Sequence, residues 1–161
     1  MNRIGAALTT LALLAFASPL AIAAESAKSD PAAKAFLHDI YDRYPGKNAK
    51  GTLLTSNADI NRYFAPELAM PIIADRTIAQ KVGDIPTLAG DPFINAQEWT
   101  VDKLDISVQQ QGKDKAIGTV KFINRGKPQT VIVELVKMPN GWRIHDLTAR
   151  GEKLSALFIK K

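Results

Sequence analysis

His38 and His145 are the only imidazoles in the chain, and there is no cysteine. Thiolate chemistry is therefore excluded by composition, as is any disulfide. The two histidines fall in different halves without ligand-spaced neighbours, which argues against a zinc-type centre. No glycine-rich phosphate loop follows a strand pattern, and no serine occupies a G-x-S-x-G elbow. His38 precedes Asp42 by one helical turn, which is the spacing of a solvated surface pair rather than a proton shuttle. His145 and Asp146 are adjacent in a strand pattern, so they point to opposite faces and make no dyad. The densest candidate is "DPFINAQEWTVDKLDISV" (91–108), with its Asp-Pro turn, Gln-Glu pair and Trp99. We read it as a corner between a helical half and a sheet. Asp91 bonds nearby backbone N–H groups there, and Trp99 closes the end of the core.

The elements that must position these residues follow from periodicity. Asp30-Pro31 opens a helix whose apolar stripe is Ala33, Phe36, Leu37, Ile40, Tyr41 and Tyr44, and Pro45-Gly46 stops it. Ser56 or Asn57 caps a second, short helix carrying Ile60, Tyr63 and Phe64. Pro66-Glu67 starts a third, which Pro71 kinks or splits and Gly83 ends. From Thr100 the period becomes two. Four strands follow, around Leu104–Val108, Ala116–Phe122, Gln129–Lys137 and Trp142–Leu147, with turns at 111–114, 124–128 and Asn140-Gly141. Short connections impose an antiparallel meander with the helices on one face. The fold class is therefore α+β, N-terminal helices on a curved antiparallel four-stranded sheet.

The first residues carry an address. Arg3, an uncharged run from Ile4 to Ala23 and the Ala21-Ile22-Ala23 end have the layout of a cleaved secretory signal. The expected organisation is a signal at 1–24, a linker at 25–30 and one domain over 31–161, located in the periplasm or secreted. A mature chain of that length buries enough surface to dispense with disulfides. The formal charge of +5 is modest and dispersed, without a basic stripe interleaved with aromatics, so nucleic acid is not an expected partner. The closing "LSALFIKK" reads as a packing turn rather than a membrane anchor, and no stable insertion is expected after signal removal.

"FAPELA" (64–69), "DPF" followed by "AQEW" (91–99) and "GWRIHDL" (141–147), in this order and spacing, resemble a family of exported bacterial proteins catalogued as domain of unknown function 3828. The likeness runs from about Ala33 to Leu157. "GWRIHDL" is also similar to the last strand of the nuclear transport factor 2-like, or cystatin-like cone, superfamily. That resemblance implies helices wrapped against a curved sheet around a cavity. It implies no functional residues from the first family, and fold alone does not license function. Cone-fold relatives include isomerases and cyclases with a carboxylate base and a tyrosine donor in an apolar pocket. By that resemblance Asp146 would be the base, Tyr41 or Tyr63 the donor and Trp142 the wall, because alternation puts Trp142, Ile144 and Asp146 on one strand face.

The reading adopted is an exported, non-enzymatic envelope protein without cofactor or metal. It binds a small apolar ligand or a protein partner through its concave sheet face, with Tyr41, Trp142 and Asp146 lining the pocket. The alternatives are a cavity enzyme of isomerase or cyclase type, or an immunity-type inhibitor of an envelope toxin. The positive charge opposes docking on a basic lysozyme-like target. Cone folds often pair through the outer sheet face, and Ile117, Ile123 and Val131 leave room for a homodimer there.

Overall fold

The computed structural model describes residues 30–159, so the signal and all of the linker but Asp30 lie outside the described residues. Three helices precede an antiparallel sheet: α1 (Pro31–Tyr41), α2 (Asn57–Tyr63), α3 (Pro66–Val82), β1 (Val101–Gln110), β2 (Lys115–Asn124), β3 (Lys127–Met138), β4 (Gly141–Ala149) and β5 (Glu152–Lys153). A 3-10 turn, Leu154–Phe158, closes the described chain. The α+β class stands. The sheet is open and has five strands in the order β1-β2-β3-β4-β5, not four. Among the described residues no helix is long and apolar enough to cross a membrane.

The helix ends use the expected chemistry. Asp30 accepts from the N–H groups of Ala32 and Ala33, and Ser56 forms a reciprocal capping box with Asp59. His38 Nδ1 lies 3.0 Å from Asp42 Oδ1 on an exposed face, an ordinary surface pair. Pro71 neither splits α3 nor ends it. The carbonyl that its missing N–H leaves free belongs, one turn back, to Glu67, which is exposed to solvent. Gly83 then ends α3 at φ +73°.

The sheet's inner face is packed, not hollow. Ile106, Val120, Phe122, Val131, Val133, Leu135 and Ile144 are buried with Leu37, Ile40 and Tyr41 of α1 in one continuous core. α1 lies so close to β2 that a Cβ on Gly118 would stand 2.4 Å from Leu37 Cδ1. Gly118→Ala therefore forces Leu37 off its rotamer. We expect it to lower the unfolding free energy by about 1–2 kcal/mol, the lower end of overpacking costs, because the clash is with a side-chain tip. A urea melt checks this, and an unchanged midpoint would mean that Leu37 swings aside freely.

Two β-bulges revise strand faces read by simple alternation. One lies between Asp102 and Asp105 of β1, where Lys103 has φ +51°. The other is in β4: Leu135 pairs with Ile144 and Glu134 with Asp146, leaving His145 as the extra residue. Val131 also belongs to the inner face at 1 % exposure and is unavailable to a dimer. The partly exposed apolar residues of the outer face are Ile117, Ile123, Ile132, Val136 and Met138.

The Asn140-Gly141 hairpin differs in detail from the expectation. Its two-residue loop is Pro139-Asn140, because Met138 pairs with Gly141; only Gly141 adopts positive φ. The turns with two consecutive positive-φ residues are Arg125-Gly126 and Arg150-Gly151, the pattern of type I′ hairpins. The second of these generates β5.

Candidate functional site

The corner reading of "DPFINAQEW" holds in atomic detail. The Asp91 N–H donates to the Ala96 carbonyl at 3.1 Å, closing residues 91–96 into a tight loop. Asp91 Oδ1 accepts from the Phe93 N–H at 2.9 Å. That bond turns Phe93 inward, where it is fully buried. The Phe93 ring stacks on Phe64 (5.6 Å, 2°) and meets the edges of Tyr41 (6.3 Å, 76°) and Tyr63 (5.8 Å, 77°). Trp99 packs edge-on against Tyr44 at 5.6 Å and covers the end of the core.

The pair that sequence reasoning missed is Tyr44 with Asp91. The Tyr44 hydroxyl donates to Asp91 Oδ2 at 2.7 Å, across 47 residues of chain. Burial raises the Asp91 carboxyl above its ordinary value, against the lowering effect of bonds from Tyr44, Phe93 and Ile94. Burial, followed by the Asp91 charge, likewise holds the Tyr44 phenol well above its usual range. Gly51 completes the cluster at φ +67°, where a Cβ would stand 2.9 Å from Tyr44 Cε1 and 3.0 Å from Trp99 Cζ2. A perturbed carboxyl beside a phenol could in principle exchange a proton. Here each carboxylate oxygen already accepts a bond from the protein itself, and the phenol is fully buried. The arrangement fastens the corner to α1's trailing segment.

The residues named from resemblance do not assemble into a base-and-donor pocket. Tyr41 and Tyr63 do lie together around Phe93. Tyr41 is completely buried, and its hydroxyl has no hydrogen-bond partner among the described residues; burial, then the Asp91 charge, raises its pKa strongly. Trp142 fills the core with its Nε1 also unpartnered, and Lys137 Nζ sits 5.6 Å over its ring. Asp146 is the correction. The bulge at His145 places it in register with Glu134, off the face of Trp142 and Ile144. Lys153 bridges Glu134 and Asp146 there. Asp146 accepts from the N–H groups of Leu147 (2.9 Å) and Ser155 (3.1 Å) and from the Ser155 hydroxyl (2.6 Å), fastening the closing 3-10 turn to β4.

The concave-face site is corrected as well, since that face is filled by the core. Two grooves lie at its margin, on either side of the segment Leu88–Pro92. One groove of about 430 Å³ runs between that segment and Leu147, Ala149, Leu154 and Leu157. The other, of about 540 Å³, is lined by Leu53, Leu54, Ile72, Ile85, Pro86 and Trp99, among others. Leu53, Ile85 and Leu157 remain 60 %, 76 % and 49 % exposed, so the rims are apolar and open to solvent. Arg76 and Asp91 are the charged side chains of the second groove. Among the described residues no three metal-ligating side chains converge.

No family model matches the chain, and no curated protein matches it. Among solved structures, it is similar to a phospholipid-binding protein from Ralstonia solanacearum in complex with a phospholipid, at 22 % identity and a TM-score of 0.37. The match covers 58 % of this chain and 49 % of that one, so the chain spans about half the length of that protein. A likeness of this extent transfers neither fold nor ligand.

Proposed function

We propose that this protein is an exported, non-enzymatic module of the cell envelope that holds a small apolar ligand in the grooves flanking Leu88–Pro92. The observation that carries the reading is the pair of adjoining apolar grooves with exposed Leu53, Ile85 and Leu157 at their rims. Apolar side chains left in water around a concavity mark a surface that gains free energy when covered. The signal-like first segment supports export to the periplasm or medium. Helices on one face of an antiparallel meander accord with membership of the family of exported proteins and with a cone-like fold. The enzymatic alternative loses support because Asp146 is spent on the Ser155 turn and stands off the tyrosines' face.

The test is titration of the purified chain with N-phenyl-1-naphthylamine, whose emission rises in apolar surroundings. Saturable binding is expected. Ile85→Asp and Leu88→Asp should each weaken it roughly tenfold or more, the effect of losing burial of one large aliphatic side chain. Ile85 is so exposed that its replacement leaves folding intact. Absence of saturable binding, or indifference to both substitutions, overturns the reading.

A further inference from the structure

We infer that the ligand of these grooves is an amphiphile with an acidic head group, and that Arg76 recognises it. This rests on the apolar-ligand reading above and names the chemistry of the ligand's other end. Arg76 projects from α3 at the boundary between two different surfaces. On one side is the apolar groove of Leu53, Leu54, Ile72, Ile85 and Trp99. On the other is a polar groove of about 430 Å³ lined by Thr55, Asn57, Thr77, Gln80 and Asp84, which also includes Arg76 and Pro86. An apolar trough that runs into a hydrogen-bonding one, with a cation at the junction, has the layout of a tail site joined to a head site.

The bonding of Arg76 explains why the head should be acidic. Arg43, Arg62 and Arg125 each meet a carboxylate, at 2.9, 3.0 and 2.9 Å respectively. Arg76, like Arg143 away from these grooves, bonds backbone carbonyls instead: it donates Nη1 to the Leu54 carbonyl at 2.7 Å and Nη2 to the Thr55 carbonyl at 3.2 Å. Those two bonds fix the plane of the guanidinium and leave its charge without an anionic partner among the described residues. A guanidinium has five N–H donors, so a carboxylate or phosphate can still be bound by its planar fork. None of the neighbouring carboxylates forms an ion pair with Arg76 among the described residues, although Asp84 shares the polar groove with it. Asp91 accepts from Tyr44 and Phe93, Asp75 accepts from the Thr87 N–H and hydroxyl, and the exposed Asp84 accepts from the Ile85 N–H. Holding the cation ready on backbone carbonyls lowers the ordering cost of binding an anion there.

The experiment displaces N-phenyl-1-naphthylamine from the purified chain with four ligands that share a twelve-carbon tail: tridecanoate, monododecyl phosphate, dodecanol and dodecylamine. At least one of the two acidic ligands should displace the probe at a roughly tenfold lower concentration than dodecanol, a difference of one charge-assisted hydrogen bond or more. Whichever acid is tighter identifies a carboxylate or a phosphate head. Arg76→Gln should abolish that preference and leave the dodecanol value unchanged, while Arg76→Lys, which keeps the charge without the fork, should retain part of it. Equal displacement by acids and alcohol, or tighter displacement by dodecylamine, overturns the inference. So does equal weakening of all four ligands in both Arg76 variants, which would make Arg76 a brace for residues 54–55 only. If the probe never binds, it is the apolar-ligand reading that has failed.

Discussion

Phe93→Ala should lower the unfolding free energy by about 3–5 kcal/mol, the cost of deleting a large aromatic side chain from a core that collapses only partly around the gap. The upper part of that range is favoured by the ring's surroundings. Phe93 is fully buried, and its neighbours come from two separate segments, Tyr41 from α1 and Tyr63 with Phe64 from the end of α2. None of them can fill the void alone without abandoning its own contacts. The loss joins two steps of the fold. The Asp91–Phe93 backbone bond sets the direction of the side chain, and the side chain ties the 91–96 loop to the helices. Because Leu88–Pro92 forms the wall shared by both grooves, probe binding should weaken along with stability. Phe93→Leu, which fills most of the space, should recover more than half of the loss on both counts. Urea melts of the two variants check the first effect. Equal midpoints for Phe93→Ala and the parent chain would mean that the corner is not part of the cooperative core.

What the sequence made legible is what local chemistry determines. Asp30, Ser56, Pro66 and Gly83 act within one turn of themselves, and each marks the helix end expected of it. The strict alternation of β3 survives because its inner residues Val131, Val133 and Leu135 face an unbroken core. The bulges were hidden because an extra residue is defined only by the partner strand. Nothing in "WRIHDL" itself says that Glu134 will lie opposite Asp146 rather than His145. β5 had a visible signal in Arg150-Gly151, the same dipeptide that turns the chain at Arg125-Gly126, but a strand of two residues has no alternation to read. The grooves were illegible for a related reason. Their walls come from loops and from the flank of α3, where no period governs which apolar residues stay outside. Tyr44 reads as one more member of the α1 stripe, and only the packed corner shows that its hydroxyl reaches Asp91.

That bond makes Asp91 the polar keystone of the corner, and its two replacements should separate hydrogen bonding from charge. Asp91→Ala leaves the buried Tyr44 hydroxyl and the Phe93 N–H without an acceptor, so it should cost about 2–4 kcal/mol, at about 1–3 kcal/mol for each orphaned donor less the relief of a buried charge. Asp91→Asn keeps an acceptor oxygen, the shape and the chain direction, and should cost far less. Its informative difference from the parent is in pH dependence. Burial raises the folded-state pKa of Asp91 above the ordinary 3.8. The folded protein therefore holds this proton more tightly than the unfolded chain does. The stability contributed by that difference is fully present below the unfolded value and is lost as pH rises through the folded one. The asparagine variant lacks it. Subtracting its unfolding free energy from the parent's, from about pH 3 to 7, cancels the other carboxylates and should give a difference that declines with rising pH. A difference that grows with pH would mean that the bonds from Tyr44, Phe93 and Ile94 outweigh desolvation and that the carboxylate is the favoured form in the fold. The corner would then be held by an anion the protein welcomes, with the Tyr44 phenol, whose pKa burial and then that charge push upward, kept protonated to donate to it.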